Sequence, residues 1–248
     1  MTRLRPIAAA LALLALAAPA RADENNPAKA AADNRPTVAV LYFDYAGKDE
    51  QMAVLRKGLA QMLISDLSAL DQVRIVERER LQEVLDEIKL GGTAKIDPAS
   101  AARAGKLLGA RFMVLGSYFD LMGALRADAR LVEVETGRVI RSTGANGKPD
   151  DFLTVEQKLG DELTKMLTTQ LPPRAADAGR VKAPDDKPRV AAPKKPAQLK
   201  TKTAVQYAKA LDAMDKGNKA AAKEALQTVV KEQPDFRLAA ADLDRLMQ

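Results

Sequence analysis

The stretch Val73-Arg-Ile-Val-Glu-Arg-Glu-Arg-Leu-Gln-Glu-Val-Leu-Asp-Glu-Ile88 constrains the fold more than any other part of the chain. It opens as a short β-branched run of strand length. Its second part places Leu81, Val84, Leu85 and Ile88 at i, i+3, i+4 and i+7, one face of a helix. A strand that feeds an amphipathic helix has to pack that helix back on a sheet, which is an α/β arrangement.

The neighbouring segments extend that pattern. Val38-Ala-Val-Leu-Tyr-Phe43 is continuously apolar, as a strand covered on both faces would be, and Asp44 to Asp49 reads as its polar exit. The spacing of Met52, Leu55, Leu59, Met62, Leu63, Leu67 and Leu70 predicts a long helix with Asp49 or Glu50 at its start, where a carboxylate is favourable. After Leu90-Gly-Gly92, Asp97-Pro98 opens a short helix through Leu108. Arg111 to Phe119 reads as an apolar strand, and Leu125 to Leu131 as one with a wet face. The alternation slips at Leu131-Val132, which either a bulge or full burial of the strand's end would produce. Turns at Leu121 to Gly123 and Glu135 to Arg138 make a meander that returns over Val139 to Ser142, with Gly144 to Asp151 as a loop. Phe152, Val155, Leu159, Leu163, Met166 and Leu167 mark a closing helix. The predicted fold is α/β, one mixed parallel and antiparallel sheet with flanking helices, over residues 37–171.

Charge is distributed unevenly. Residues 1–22 have Arg3 and Arg5, an apolar run and an Ala20-Arg21-Ala22 end, which reads as a cleaved secretory signal peptide too short to span a bilayer. Its removal takes away three arginines and no acid, moving the formal net charge from +6 to +3. Residues 23–36 read as a disordered lead-in. Residues 172–202 hold nine Lys or Arg, three Asp and six of the thirteen prolines, a basic, extended linker. The remaining parts are therefore slightly acidic, which argues against a nucleic-acid partner. The chain has no cysteine, so disulfides and an anchor through an N-terminal cysteine are both excluded, and its apolar core must provide the stability. No transmembrane segment is expected in the mature chain.

Residues 203–248 predict a small all-α helical-repeat segment of three helices, with Lys216-Gly-Asn218 as the first turn and Pro234-Asp235 as the second. This segment resembles a tetratricopeptide unit at Gly217, Ala222, Leu226 and Pro234, with Ala210 where a glycine is usual. One unit and a further helix fall short of the three repeats that bury a stable core. Docking on the first domain, self-association and binding of a partner's helix all remain open.

The candidate chemistry is thin. Without His or Cys, Ser-His-Asp and Cys-His nucleophile systems and the usual soft metal ligands are excluded, and no cofactor is expected. Asp44, Glu77, Glu79 and Asp128 could furnish a carboxylate pair, but solvated strand-end and helix-start charge is the plainer reading. Gly144-Ala-Asn-Gly-Lys-Pro149 has Ser142 and Pro149 where a phosphate loop needs glycine and a hydroxyl. Tyr42, Phe43, Tyr45, Phe112, Tyr118 and Phe119 read as core rather than stacking platforms. Arg126, Asp128 and Arg130 form a same-face ladder of alternating charge. The distinctive field belongs to Arg180, Lys182, Lys187, Arg189, Lys194, Lys195, Lys200 and Lys202, which could contact an anionic envelope polymer or lipid surface, or serve only for solubility and spacing.

At Val38 to Phe43, Val73 to Arg78, Leu81-Gln-Glu-Val-Leu85, Gly109 to Ser117 and Leu131 to Val139 the chain resembles the family of the curli-secretion component CsgG, a pattern shared with TolB amino-terminal-like domains. It is also similar to the fold of lipoprotein activators of penicillin-binding proteins. The resemblance implies a non-enzymatic periplasmic scaffold of the bacterial cell envelope that assists assembly or secretion through protein partners or its own copies. A regulator of a cell-wall synthase is the alternative, and a carboxylate-dependent wall-active enzyme a weaker one. The family's secretion channel has a lipid-anchored cysteine and long barrel-forming hairpins. This chain has neither, so the resemblance does not extend to the pore. Glu77-Arg78 is the most recognisable block, yet nothing adjacent in sequence supplies it with chemistry, and it reads as a structural pivot.

Overall fold

The computed structural model describes residues 35–89, 98–171 and 199–248. Its strands are β1 (Thr37–Val40), β2 (Asp44–Tyr45), β3 (Arg74–Ile75), β4 (Phe112–Leu121), β5 (Ala124–Glu133) and β6 (Val139–Gly147). Its helices are α1 (Glu50–Leu67), α2 (Arg78–Glu87), α3 (Pro98–Leu107), α4 (Phe152–Gln170), α5 (Thr201–Asp215), α6 (Lys219–Glu232) and α7 (Arg237–Met247). The sheet order is β3-β1-β4-β5-β6, with β2 also paired to β4. β1 lies parallel to β3 and β4, whereas β4, β5 and β6 form an antiparallel meander. This is the mixed sheet with flanking helices that the element pattern predicts.

One sheet face carries Val114, Gly116 and Tyr118 of β4 opposite Leu131, Ala129 and Ala127 of β5. α1 covers it, and the Tyr118 hydroxyl donates to the Met52 carbonyl at 2.5 Å. α4 packs beside α1 and over β5 and β6. A Cβ on Gly147 would lie 2.8 Å from Val155, so that glycine allows strand and helix to approach closely. Leu55, Leu59, Leu63 and Leu67 of α1 and Leu159, Leu163 and Leu167 of α4 are essentially inaccessible to solvent. Each such side chain contributes about 1.5–3 kcal/mol by leaving water. On the opposite face α3 covers one end, where a Cβ on Gly105 would meet Met113 and Val134.

The structure corrects three local expectations. The run Val38 to Phe43 is buried throughout, but ladder pairing stops at Val40 and resumes at Asp44. Val40 pairs with Val114 and Asp44 with Ser117, so β1 and β2 accommodate one more residue than β4 over the same span, a bulge. Asp44 and Tyr45 are therefore strand residues rather than an exit loop. Second, the strand of the opening stretch pairs only over Arg74 and Ile75, at the sheet edge. Third, β6 runs on to Gly147, through glycines that suggest a loop. A Cβ on Gly144 would lie 2.3 Å from the Asp128 carboxylate, so this glycine permits close cross-strand packing. The predicted irregularity at Leu131-Val132 is present as a register shift between β5 and β6.

The C-terminal helices pack on the α/β layer. α5 lies along α1, where a Cβ on Gly58 would stand 3.1 Å from the Ala208 Cβ. This contact explains why α1 is buried continuously from Gly58 to Ile64: the sheet covers one side and α5 the other. At its start α5 is tied down by the Thr201 hydroxyl, which donates to the Pro149 carbonyl at 2.7 Å. Gly217, at φ +69°, turns the chain from α5 to α6, and the Asn218 side chain caps α6 by accepting from the Ala221 amide. Tyr207 and Phe236 meet edge to face at 5.0 Å inside the three-helix unit.

Candidate functional site

Arg78 opens α2 and is 1% exposed, an unusual position for a guanidinium. Its Nη1 lies 2.5 Å from Asp215 Oδ1, and its Nη2 lies 3.3 Å from Glu79 Oε1. Asp215 Oδ2 is 2.7 Å from Lys57 Nζ, which is also 2.8 Å from Asp212 Oδ1, and Lys216 approaches Asp212 Oδ2 at 2.6 Å. In the other direction Glu79 pairs with Arg245 at 3.0 Å, and Arg245 with Asp242 at 3.0 Å. The result is an unbroken alternation of acid and base, Asp242, Arg245, Glu79, Arg78, Asp215, Lys57, Asp212 and Lys216. It joins α1 and α2 to α5 and α7.

The sequence places these groups for identifiable reasons. α5 ends in Asp212 and Asp215 without a basic residue in its last turn. Carboxylates there oppose the helix dipole, and Lys57 and Arg78 supply the missing positive charge from another segment. Burial disfavours the charged form of Arg78, but Asp215 and Tyr42 more than offset it and the guanidinium is held above its ordinary pKa. Burial likewise works against ionised Asp212, and its bonds to Lys216 and Lys57 nevertheless pull it below its ordinary value. Burial raises Tyr42, which keeps its hydroxyl protonated to donate to Gln82 Oε1 at 2.8 Å. Lys57 stands 5.9 Å from the centre of the Tyr42 ring.

Asp242 is the most buried acid of the chain of pairs, at 1% exposure, and accepts from the Tyr207 hydroxyl at 2.6 Å. Burial raises its pKa, against the opposing effects of Tyr207 and Arg245. The folded state therefore holds this proton more tightly than the unfolded chain. The contribution of Asp242 to stability falls as pH rises from the ordinary carboxylate pKa through the raised folded value. For Asp242→Asn, urea midpoints measured across that interval should shift in favour of the variant, relative to the parent, as pH rises.

A cleft of about 1090 Å³ opens beside this network. It lies beyond the C-terminal end of β1, beside Gly116 and Ser117 in the middle of β4, where the connections from β1 to β3 and from β3 to β4 run in opposite directions, a favourable place for ligands in α/β sheets. Tyr42, Gln82 and Asp86 contribute from the α/β layer, and Lys209, Asp212 and Asp215 from α5. The cleft wall is thus shared between the α/β layer and the C-terminal helices. Paired charges, protonated tyrosines and amides equip it for polar recognition. Among the described residues no cluster of His, Cys, Asp and Glu is arranged to hold a metal ion.

The sequence candidates separate in space. Asp44 lines the cleft and lies 3.5 Å from Arg56, whereas Glu79 belongs to the ion-pair network. Glu77 is exposed at the start of α2, and Asp128 pairs with Arg126 at 2.6 Å on β5. Arg130, the third member of the expected ladder, lines the cleft. Tyr42, Phe43, Phe112 and Tyr118 are buried in the core, and Tyr45 packs 5.1 Å from Tyr118. Arg180, Lys182, Lys187, Arg189, Lys194 and Lys195 lie outside the described residues. Lys200 and Lys202 are exposed at the start of α5. Sequence reasoning singled out Arg78 but missed Lys57, Asp212 and Asp215. The available signal was a helix ending in acids without a base in its last turn.

Residues 25–121 match the family model described as curli production assembly/transport component CsgG. No curated relative matches the chain. Among solved structures the chain is similar to the LpoB C-terminal domain from Salmonella enterica, at 16% identity over 49% of this chain and 91% of that one, with a TM-score of 0.39. It is similar to lipoprotein GNA1162 from Neisseria meningitidis at 13% identity over 54% and 96% of the two chains, with a TM-score of 0.37. TolB from Acinetobacter baumannii aligns at 11% identity over 56% of this chain and 29% of that one, with a TM-score of 0.32. The family match ends at Leu121, the last residue of β4, and takes in β1, α1, Arg78 and α2. The similarity to that family model is thus confined to residues 25–121.

Proposed function

We propose that this protein is an exported, periplasmic, non-enzymatic scaffold of the bacterial cell envelope, which assists assembly or secretion by binding other envelope proteins. The match to the CsgG family model over residues 25–121 carries this reading. The ion-paired seam between α1 and α5 supports it, because Asp212 and Asp215 there are each paired with cations and so suit recognition better than proton transfer. Among the described residues no helix is long and apolar enough to cross a membrane. The basic segment from Arg180 to Lys202 would add a contact to an anionic polymer or lipid surface.

The test is crosslinking in intact producing cells, followed by purification of the tagged protein. Enrichment of components of an assembly or secretion system supports the proposal. Recovery of a cell-wall synthase as the main adduct would replace it with the regulatory reading. Release of products from peptidoglycan by the purified protein, lost in Asp44→Asn or Glu77→Gln, would replace it with an enzymatic one.

A further inference from the structure

Three features of the cleft meet along β2. First, the cleft joins a second cavity of about 490 Å³ on the α3 side of the sheet, and Tyr42, Asp44, Gly116 and Arg130 line both. Leu41, Met113, Leu115 and Val132 give the smaller cavity an apolar wall, and its size is within the range of ligand pockets. Second, β2 is a sheet edge, paired with β4 on one side and with no strand on the other. The Ala46 N–H donates to the Tyr118 carbonyl at 2.9 Å, and in a parallel ladder this register turns the N–H and C=O of Tyr45 away from β4. No described residue bonds to them. Asp44 to Glu50 line the cleft without a break, so the open edge borders it.

Third, the charges lining the cleft cancel in number, six bases against six acids, but not in position. Asp212 and Asp215 are neutralised within the ion-pair network, and Asp44 has Arg56. Asp86 accepts from the Gln82 amide at 2.8 Å, and Asp49 caps α1 by accepting from the Gln51 N–H. Glu50 stands in the first turn of α1, next to Lys48 in the chain. Arg130 of β5 and Lys209 of α5 also line the cleft, and neither has an ion-pair partner among the described residues. Arg130 is moreover the cation at the junction of the two cavities.

We propose that the cleft takes an extended peptide segment of a partner protein, which adds to the sheet at β2 and carries an apolar and an acidic residue two positions apart. Residues at that spacing lie on one face of an added strand, as the smaller cavity and Arg130 require. The peptide backbone bonds to Tyr45, the apolar side chain enters the smaller cavity, and the carboxylate meets Arg130. Lys209 favours further acid on the α5 side. A compact anion would use the cations but neither the backbone edge nor the apolar wall. The inference rests on the proposed role of binding envelope proteins and names the surface that does it.

Random dodecapeptides displayed on phage are selected against the full chain. Enriched peptides are expected to share an acidic residue two positions from a large apolar one. In fluorescent form, the best of them should bind about tenfold more weakly to Arg130→Gln and about threefold more weakly to Lys209→Gln, with Arg130→Lys intermediate. Arg130 and Lys209 are exposed, so these variants should keep the fold. Lys165→Gln, on the exposed side of α4 and outside the cleft, should leave the affinity unchanged.

A second measurement leaves the protein as it is. N-methylation of the selected peptide at single successive positions should weaken binding about tenfold at alternate residues and little at those between, the pattern of a strand paired on one side. Amide exchange at Tyr45 should slow in the complex. Methylation effects without alternation, or an affinity untouched by Arg130→Gln, would overturn the proposal. So would enrichment of no peptide while phosphatidylglycerol vesicles bind through Arg130. Crosslinked envelope partners whose recovery is unchanged in Arg130→Gln would count against this site alone, whereas peptide binding without such partners would count against the envelope role alone.

Discussion

Replacing Asp215 by alanine should cost about 3–5 kcal/mol, the range for breaking a buried ion pair from one side. Asp215 is 7% exposed and bridges Arg78, at 1%, and Lys57, at 14%. Truncation removes the carboxylate but leaves both cations at the seam, where desolvation is no longer offset. The chain can relieve that cost by releasing α5 into water. The expected observation is loss of amide-exchange protection across α5 and the facing residues of α1, before β4 and β5 lose theirs. The exposed pair Arg80–Glu83, 61% and 66% exposed, is the control, and Arg80→Ala should change stability by at most about 0.5 kcal/mol. Replacing Arg78 and Asp215 together with apolar residues of similar volume should restore much of the loss, since it removes both desolvation costs. If Asp215→Ala behaved like Arg80→Ala, the seam would not hold the C-terminal helices in place.

Gly116→Val should destabilise the α/β layer by about 3 kcal/mol, a large overpacking effect. A Cβ at this position would lie 2.1 Å from Phe43 Cε1 and 2.4 Å from Cδ1, and Phe43 is completely buried. The ring fills the space made by the bulge between β1 and β2, and the missing Gly116 side chain lets it lie against β4. Neither strand can retreat without breaking the pairing of Val40 with Val114 or of Asp44 with Ser117. Thermal unfolding should show a fall of roughly 6–12 °C for a chain of this size. The second substitution Phe43→Leu should recover part of that fall, because it vacates some of the contested space and the two sites interact directly. An unchanged melting temperature for Gly116→Val would mean that the ring is not confined as described.

The local order of the fold is legible in the sequence because it depends on short-range patterns. Leu81, Val84, Leu85 and Ile88 are enough to predict α2, and alternation over Leu125 to Leu131 is enough to predict β5. Glycine is more ambiguous, since it serves both in turns and where backbones approach closely. At Gly123 it joins Met122 in a two-residue turn with positive φ, as expected, while at Gly144 it lies inside a strand. The long helix was predicted from one apolar face. Its burial at Gly58, which meets Ala208, becomes meaningful only once α5 covers that side.

By itself the sequence determined the α/β pattern, the meander with its irregularity at Leu131-Val132 and the three C-terminal helices. All of these depend on residues near one another in the chain. Tertiary structure alone decided what Arg78 does, because its partner Asp215 lies 137 positions away and Lys57 belongs to a different helix. Ion pairing is pairwise and long-range in sequence, with no periodicity to reveal it. A lone acid at the end of α5 and a lone base at the start of α2 each look like ordinary surface charge until the fold removes both from water.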